Sequence, residues 1–415
     1  MTTNTKPASF FSLIAPSISS LISLFLFSIG NGYINSLTSI HLESTNTSHF
    51  IIGLISSAFF AGVSIGSFIM EPFIVRIGHI RAFSVFASLL AALSILQGLK
   101  FGVVMWFIIR FLSGYCIAGL YIVIESWLLC TSESGNRGKV LACYNVALYC
   151  SQAFGQQLLK ISTSSISEEF AIAGILMALS VIPLAMTRVS SPKIETPSAI
   201  NLIKLWHLSS LGLVVCCLGG VMQGLLYLIM PVFMSNIGFS VSQIANSMFI
   251  IIFGAMFLQY PIGYLSDKFN RAVVVATISM LMIFLAIVAA YTAFNNIVLF
   301  NIILFFLGGF AFTAYPLGIS MACDTIDTQD IVGATQGLLL VYSIGATVGP
   351  TISSSLSIFF VKTSMLAFLA IIAAVMCLFS VFKIRSLNLV TIHKDKFTAV
   401  QPSATDISIE YDNDE

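Results

Sequence analysis

Two ionisable residues lie inside long apolar stretches of the sequence, where a charge is costly. Arg110 stands about ten residues into the stretch 101–129, and Glu125 follows 15 residues later in the same stretch. A charged side chain at the centre of a membrane costs about 2.5–3.5 kcal/mol on insertion scales, so each residue needs a partner or a polar cavity. On a helix the two residues would be about 22 Å apart, which is too far for a salt bridge between them.

Each of these residues has two interpretations. Arg110 shares a broad helix face with Tyr121, and it could bind an anionic group or solute near the membrane midplane. It could instead satisfy backbone carbonyl groups and pack the N-terminal half. A carboxyl group in a low dielectric takes up a proton more readily than one in water, so Glu125 is a candidate for proton coupling, for cation binding or for an inner gate. The alternative for Glu125 is a structural pair with Arg137 or Lys139.

A stripe of uncharged polar side chains follows one face of the stretch 140–159. Four hydrogen-bonding groups in one line are not expected to face lipid, because lipid offers them no partner. They could line a solute pathway or join helices through hydrogen bonds, and we favour the pathway. The stripe consists of Asn145, Tyr149, Gln152 and Gln156, spaced i, i+4, i+7 and i+11. Shorter polar features are the i, i+4 pairs Asn31 with Asn35 and Gln223 with Tyr227, together with Tyr315 next to Pro316.

An acidic cluster raises the possibility of metal chemistry. Asp324, Asp327 and Asp330 have the spacing of a magnesium-diphosphate site in membrane prenyltransferases. Such an enzyme needs a second acidic cluster facing the first, and the sequence contains none. It also lacks a zinc motif, a Walker A loop and a nucleophile elbow. We therefore expect the cluster to cap a helix, and we expect no catalytic residue, no metal and no cofactor.

The composition defines the elements that must position these residues. The chain has 415 residues, of which 58% are hydrophobic and only 8% are charged. Soluble domains carry about 25% charged residues, so a soluble enzyme, a disordered chain and a secreted disulfide scaffold are excluded. The net charge of +1 provides no concentrated basic face for a nucleic acid. The chain is predicted to be an all-α polytopic membrane protein.

Twelve stretches are long enough to span a membrane, since a crossing helix needs about 20 apolar residues. Lysine and arginine are concentrated in the loops that a cytoplasmic N-terminus would place inside, so both termini are expected in the cytoplasm. The predicted spans are 13–36, 50–70, 82–99, 101–129, 140–159, 170–186, 205–234, 242–265, 272–293, 297–322, 332–358 and 364–382.

A polar interruption after the sixth span divides the chain into two halves. The stretch 187–204 contains two prolines and four charged residues, and it is predicted to be a cytoplasmic linker. It separates an N-terminal six-helix bundle, 1–186, from a C-terminal six-helix bundle, 205–382. The remaining residues, 383–415, are predicted to form a disordered acidic cytoplasmic tail.

The loop after the second span of each half carries a related motif. In the second half, the residues from Gly263 to Arg271 read GYLSDKFNR, which resembles the G-x-L-[AS]-D-[RK]-x-G-R loop signature of the major facilitator superfamily. The first half has a degenerate copy that begins at Glu71. A carboxylate with basic residues one and four positions later can latch neighbouring helix ends. The alternative is an ordinary set of positive-inside anchors. The predicted cytoplasmic gate consists of Glu71, Arg76, Arg81, Asp267, Lys268 and Arg271.

Other motifs support this resemblance over nearly the whole chain. The residues from Arg110 to Gly114 resemble the R-x-x-x-G pattern of the fourth helix in the superfamily. The stretches 123–126, 136–139 and 312–316 look most like YcaD-type bacterial members. The fifth span lacks the Gly-Pro motif of drug/proton antiporters, which instead has a counterpart at 345–350 in the eleventh span.

The resemblance implies two pseudo-symmetric bundles and a secondary transporter that works by alternating access in the cell (inner) membrane. Its partners would be a small-molecule substrate, membrane lipid and, for coupling, a proton, and we expect a monomer. A membrane-embedded prenyl or acyl transferase and a non-transporting membrane sensor are the alternatives. The residues expected to line the cavity are Asn31, Asn35, Arg110, Tyr121, Asn145, Tyr149, Gln152, Gln156, Gln223, Tyr227 and Tyr315.

Overall fold

A computed structural model describes most of the chain, and the described part is almost entirely helical. It covers residues 18–99, 102–130, 137–161, 163–186, 202–326, 331–356 and 364–386, and these ranges contain no β-strand. In a helix the backbone N–H and C=O groups bond to each other. A segment in lipid needs this, because lipid offers these groups no hydrogen-bond partner. The all-α fold class is therefore confirmed. The predicted linker between the halves and the predicted acidic tail lie almost entirely outside the described ranges.

The described residues form twelve long helical segments, as predicted. The first half contains α1 (Ile18–Ser44), α2 (His49–Ile77), α3 (His79–Gln97), α4 (Val103–Cys130), α5 (Arg137–Gln157) and α6 (Ile166–Ala185). The second half contains α7 (Leu202–Asn236), α8 (Val241–Lys268), α9 (Arg271–Asn295), α10 (Ile297–Cys323), α11 (Ile331–Leu356) and α12 (Ser364–Ser386). Within the described residues, 11 helices are long and apolar enough to span a membrane, and α5 is not among them. That helix carries the polar stripe.

The first helix extends beyond its predicted end at residue 36 and continues to Ser44. The added turns contain the polar residues Thr38 and Ser39, which the sequence pattern placed outside the membrane. Both side chains are buried in protein, and their hydroxyl groups donate to the helix's own carbonyl oxygens, Thr38 Oγ1 to Ile34 O at 2.6 Å and Ser39 Oγ to Asn35 O at 3.3 Å. Polar residues with such partners can continue a buried helix.

Pairs of glycines allow helices to cross closely in both halves. In the first half, α2 meets α4 at Gly62 and Gly114, and in the second half, α8 meets α10 at Gly254 and Gly308. A Cβ atom at any of these four positions would collide with a backbone carbonyl oxygen of the opposing helix. Small residues at helix contacts are typical of membrane proteins, where backbone packing replaces the hydrophobic effect. The two halves therefore share one packing solution.

Hydrogen bonds join the two halves along one side of the molecule. They involve the ends of α1 and α5 and the beginnings of α2 and α8. The pairs are Ser39 Oγ with Leu228 O (2.8 Å), Ser57 Oγ with Thr351 Oγ1 (2.7 Å) and Lys160 Nζ with Asn246 Oδ1 (2.7 Å).

Candidate functional site

Arg110 is fully enclosed by protein, with 1% of its surface exposed. It lies on α4, and its Nη2 donates to Oδ1 of Asn35 on α1. The guanidinium carbon lies 4.4 Å above the ring centroid of Phe59 on α2, which is a cation–π contact. Its Nε and Nη1 atoms are buried and have no hydrogen-bond partner among the described residues. Most of the donor capacity of this arginine is therefore unused.

A chain of polar contacts leads from Asn35 to α4 and α5. Nδ2 of Asn35 donates to Oδ1 of Asn31 at 3.3 Å, one turn earlier on α1. The hydroxyl group of Tyr121 on α4 faces Asn31 and accepts from Nε2 of Gln152 on α5 at 3.2 Å. Four residues that the sequence predicted separately, on three helices, therefore meet in one cluster with Arg110.

Tyr227 brings the second half into this cluster. It lies in a π-helical turn, Leu225–Ile229, inside α7, where Met230 N donates to Leu225 O. Pro231 has no N–H group to donate to Tyr227 O, so an ordinary α-helical turn cannot be completed there. The Tyr227 hydroxyl faces Asn35, with which it hydrogen-bonds, and it interacts electrostatically with Arg110. We call Asn31, Asn35, Arg110, Tyr121, Gln152 and Tyr227 the polar cluster.

A group of aromatic side chains links α5 to the second half. The rings of Tyr149 and Phe312 meet edge-on with centroids 6.2 Å apart, and those of Tyr315 and Tyr342 lie 4.7 Å apart. Tyr315 is buried in α10, which runs through Pro316 as one helix. Two further predicted residues, Asn145 and Gln223, are buried and half-buried respectively.

The polar stripe of α5 has two roles in the structure. Gln156 is fully buried, donates to Gly32 O at 2.8 Å and accepts from Ser36 Oγ at 2.6 Å, so it fastens α5 to α1. Gln152, one turn earlier, belongs to the polar cluster. The bonds of Gln156 match the helix-joining interpretation of the stripe, and the pathway interpretation stays a prediction.

Glu125 lies away from the polar cluster, nearer the other end of α4. It is 1% exposed, and its buried Oε2 has no hydrogen-bond partner among the described residues. The side chains of Arg137 and Lys139, its alternative partners, lie outside the described part. Within the described residues, no group of three His, Cys, Asp or Glu side chains is arranged to hold a metal ion.

An ion-paired arginine closes the loop between α8 and α9. Nε of Arg271 lies 2.8 Å from Oδ2 of Asp324, and Nη2 lies 3.4 Å from Oδ1 of Asp267. Arg271 is 3% exposed, whereas Lys268 is exposed and lies 4.4 Å over the ring of Tyr264. Asp324 follows the last residue of α10, where a carboxylate opposes the helix dipole. Asp324 is nevertheless the C-cap residue of α10, since its backbone N–H donates to Ser320 O at 3.1 Å, so the expectation that it caps a helix holds and the ion pair with Arg271 is an additional role. Asp327 and Asp330 lie outside the described residues.

The corresponding loop of the first half is built differently. Arg76 and Arg81 are exposed, and the side chain of Glu71 lies outside the described part. The buried residue at this loop is His79, whose Nε2 lies 3.1 Å from Oγ of Ser126 on α4. The sequence analysis missed His79. The repeat could have identified it. His79 precedes Arg271 by 192 residues, the same offset that relates Glu71 to Gly263, so His79 occupies the repeat position of Arg271.

Comparison with known sequences identifies a family over nearly the whole chain. The family described as Major Facilitator Superfamily matches residues 20–257 and 211–402. The MFS-type transporter YcaD of Escherichia coli (strain K12 / DH10B) is 30% identical over 339 residues, which cover 81% of this chain and 87% of that protein. YcaD of Shigella flexneri has the same identity and coverage.

Solved structures with the same fold are more distant in sequence. A bacterial homolog of the human lysosomal transporter Spinster, in an inward-facing and unoccupied conformation, has a TM-score of 0.72 at 16% identity, covering 91% of this chain and 99% of that one. The nucleoside transporter NupG has a TM-score of 0.71 at 12% identity, covering 90% and 99%. The D-xylose-proton symporter has a TM-score of 0.67 at 14% identity, covering 90% and 97%.

Proposed function

The chain belongs to the major facilitator superfamily, and from that membership we propose that it is a secondary transporter that moves a small organic solute by alternating access. The observation that carries this proposal is the position of Tyr227, which comes from the second half and faces Asn35 and Arg110 of the first. A polar site shared by two six-helix halves changes its access when one half rocks against the other.

The chain is a multi-pass protein of the cell (inner) membrane, and in this proposal it works there as a monomer with both termini in the cytoplasm. The hydrogen bonds of Ser39, Ser57 and Lys160 to the second half then lie on the extracellular side. They hold the pathway closed toward the outside. Opening it would require all three to break, and the cost would be offset by contacts formed on the cytoplasmic side.

The cytoplasmic gate is the proposed role of the two interhelical loops. The ion pair of Arg271 with Asp324 fixes the end of α10 to the beginning of α9. Asp267 and Lys268 extend this group in the second half, and Glu71, Arg76 and Arg81 are the proposed counterparts in the first half. In this proposal the two loops change their contacts with each other when the halves rock.

A membrane-embedded transferase receives no support from the acidic residues. A magnesium-diphosphate site would need Asp324 free to bind the metal ion, but its carboxylate is paired with Arg271 at 2.8 Å. A carboxylate paired in this way stabilises the loop and is not free to bind a metal ion. The Arg271 pair therefore favours the transporter over the enzyme.

Proton coupling through Glu125 is the finer part of the proposal. The carboxyl group is 1% exposed, and its Oε2 has no hydrogen-bond partner among the described residues. A buried carboxyl group exchanges a proton when it moves between a dry and a wet environment. In alternating access, each conformational switch would expose it to a different side of the membrane.

Transport and coupling can be tested with the full-length protein in proteoliposomes. A pooled set of organic metabolites is added outside, and the lumen is analysed by mass spectrometry, with and without an inward proton gradient. We expect solute in the lumen above protein-free vesicles, and Glu125→Gln is expected to abolish the increase caused by the gradient while leaving solute exchange intact.

The exposed acid Glu168 provides a matched control, and Glu168→Gln is expected to behave like the wild type. If no metabolite enters above the protein-free level, the transporter proposal is wrong. If the gradient still drives uptake in Glu125→Gln, transport stands but this residue does not couple it.

A further inference from the structure

Arg110 is a cation for which the described structure provides no anion. The groups that face it are Asn35, Phe59 and Tyr227, all of them uncharged side chains. The nearest acid on its own helix, Glu125, lies about 22 Å away along the axis. Arginine keeps its charge in proteins, so the guanidinium group cannot become neutral by losing a proton.

A buried charge without a partner is strongly destabilising, whereas the same charge in a hydrogen-bonded pair is tolerated. Nε and Nη1 of Arg110 are buried and have no hydrogen-bond partner among the described residues, and the Tyr227 hydroxyl, which hydrogen-bonds with Asn35, also interacts with this guanidinium group. All of these atoms can donate a hydrogen bond. They form an incomplete site whose missing component is an acceptor with a negative charge.

We propose that the transported solute is a small organic acid whose carboxylate binds Arg110, with Tyr227 donating from the second half. This inference rests on the proposed transport function and specifies its substrate class. Asn35 acts as a positioning residue, because its Oδ1 accepts from Nη2 and directs the other donors away from α1.

The charge of the site favours a carboxylate over a phosphate ester. Among the described lysine and arginine side chains, Arg110 is the one that contacts the polar cluster, so the site offers a single positive charge. A carboxylate neutralises it, whereas a phosphate monoester carries about −1.5 to −2 charges at neutral pH and would leave an excess buried charge. The uncharged groups Tyr121 and Gln152 are available to the rest of the solute.

The test compares acids with their amides. The purified full-length protein is titrated with acetate, lactate, benzoate and nicotinate, each beside its carboxamide, and with glucose 6-phosphate, and thermal unfolding is recorded. We expect at least one acid to raise the unfolding temperature while its amide does not. In Arg110→Gln that acid is expected to bind about 100-fold more weakly, as for the truncation of a buried charge pair.

Two further variants keep the result interpretable. Arg110→Lys retains the charge with fewer donors, and it is expected to keep the preference for acid over amide with weaker binding. Arg385→Gln makes the Arg110→Gln change at an exposed position in the last turn of α12, and it is expected to bind like the wild type. If Arg110→Gln fails to fold, the acid-over-amide preference of Arg110→Lys decides whether the inference stands.

Several results would overturn the inference: no acid-specific stabilisation across the panel, equal stabilisation by an amide, stabilisation by the phosphate ester instead, or loss of the acid preference in Arg110→Lys. Uptake into proteoliposomes separates this failure from a failure of the proposed function. A neutral metabolite that enters through both the wild type and Arg110→Gln supports transport and contradicts the organic acid. An acid that binds through Arg110 but never enters the lumen supports the site and contradicts transport.

Discussion

The two halves of the molecule cross their helices in the same way but fasten the loop after their second helix differently. Glycines at matching positions, Gly62 in α2 and Gly254 in α8, both lie against a backbone carbonyl oxygen of the opposing helix. At the loops, the second half buries the ion pair of Arg271 with Asp324, whereas the first half buries a hydrogen bond between His79 and Ser126. Backbone packing has been kept in both copies, and side-chain chemistry has diverged.

The divergence gives the halves unequal mechanical roles. An ion pair with geometry as close as 2.8 Å holds two helix ends more strongly than a bond to a hydroxyl group. In the proposed transport cycle, we expect the second half to be the more rigid body at this loop. The loop of the first half, with exposed Arg76 and Arg81, is freer to change its contacts.

The largest effect is expected from breaking the buried ion pair. Arg271→Gln leaves the carboxylate of Asp324 buried without a cation, and removal of one member of such a pair costs about 3–5 kcal/mol. Thermal or denaturant unfolding of the purified protein measures this loss. The double variant Arg271→Gln with Asp324→Asn is expected to recover part of the stability, because the more deeply buried carboxylate is then removed and only Asp267, which is 31% exposed, loses its cation. A loss below about 1 kcal/mol, the value of an exposed pair, would show that the pair does not fasten the second half.

An intermediate effect, equal in both halves, is expected at the glycine crossings. Gly62→Ala and Gly254→Ala each insert a methyl group against a carbonyl oxygen, and overpacking of this kind costs about 1–3 kcal/mol. Unfolding measurements on the two variants test whether the halves share this constraint. Gly102→Ala is the control, since a Cβ atom there has no neighbour within 4 Å. Tolerance of one substitution but not the other would break the symmetry that we infer.

The sequence was sufficient to predict the helices, but it was not sufficient to predict which side chains from different helices contact each other. Hydrophobic length predicted twelve spans, and helical spacing put Asn31 and Asn35 on one face, where the structure has them. The π-helical turn at Leu225–Ile229 was not predicted, because one extra residue in a turn leaves no mark in an apolar run. Tyr227 lies inside that turn and faces Arg110, whereas Gln223, which precedes the turn, is half-buried.

The candidate gate shows why pattern alone is limited. The sequence analysis selected charged residues, and therefore chose Arg81, which is exposed, and missed the neutral His79, which is buried. It assigned Asp324 to helix capping, which agrees with its C-cap position in α10, but it missed the ion pair because the partner Arg271 is 53 residues away in the chain. Pairings over such distances depend on how α9 and α10 pack, and a single sequence contains no direct signal for that.

The smallest effect is expected at the hydrogen bond of the first half, and it decides whether the comparison between the halves is real. A double-mutant cycle with His79→Leu and Ser126→Ala isolates the energy of this bond from the packing of either side chain. We expect a coupling of about 0.6–1 kcal/mol, the range for neutral hydrogen bonds in membrane proteins, measured by unfolding. The same cycle on Arg271 and Asp324 is expected to give a larger coupling, because both partners are charged. Ser67→Ala is the control, since its hydroxyl donates to Val63 O within its own helix. If the two cycles gave equal couplings, the two loops would be equally strong. The difference that we infer between the halves could then not be explained by a histidine, His79, at the position where the second half has Arg271.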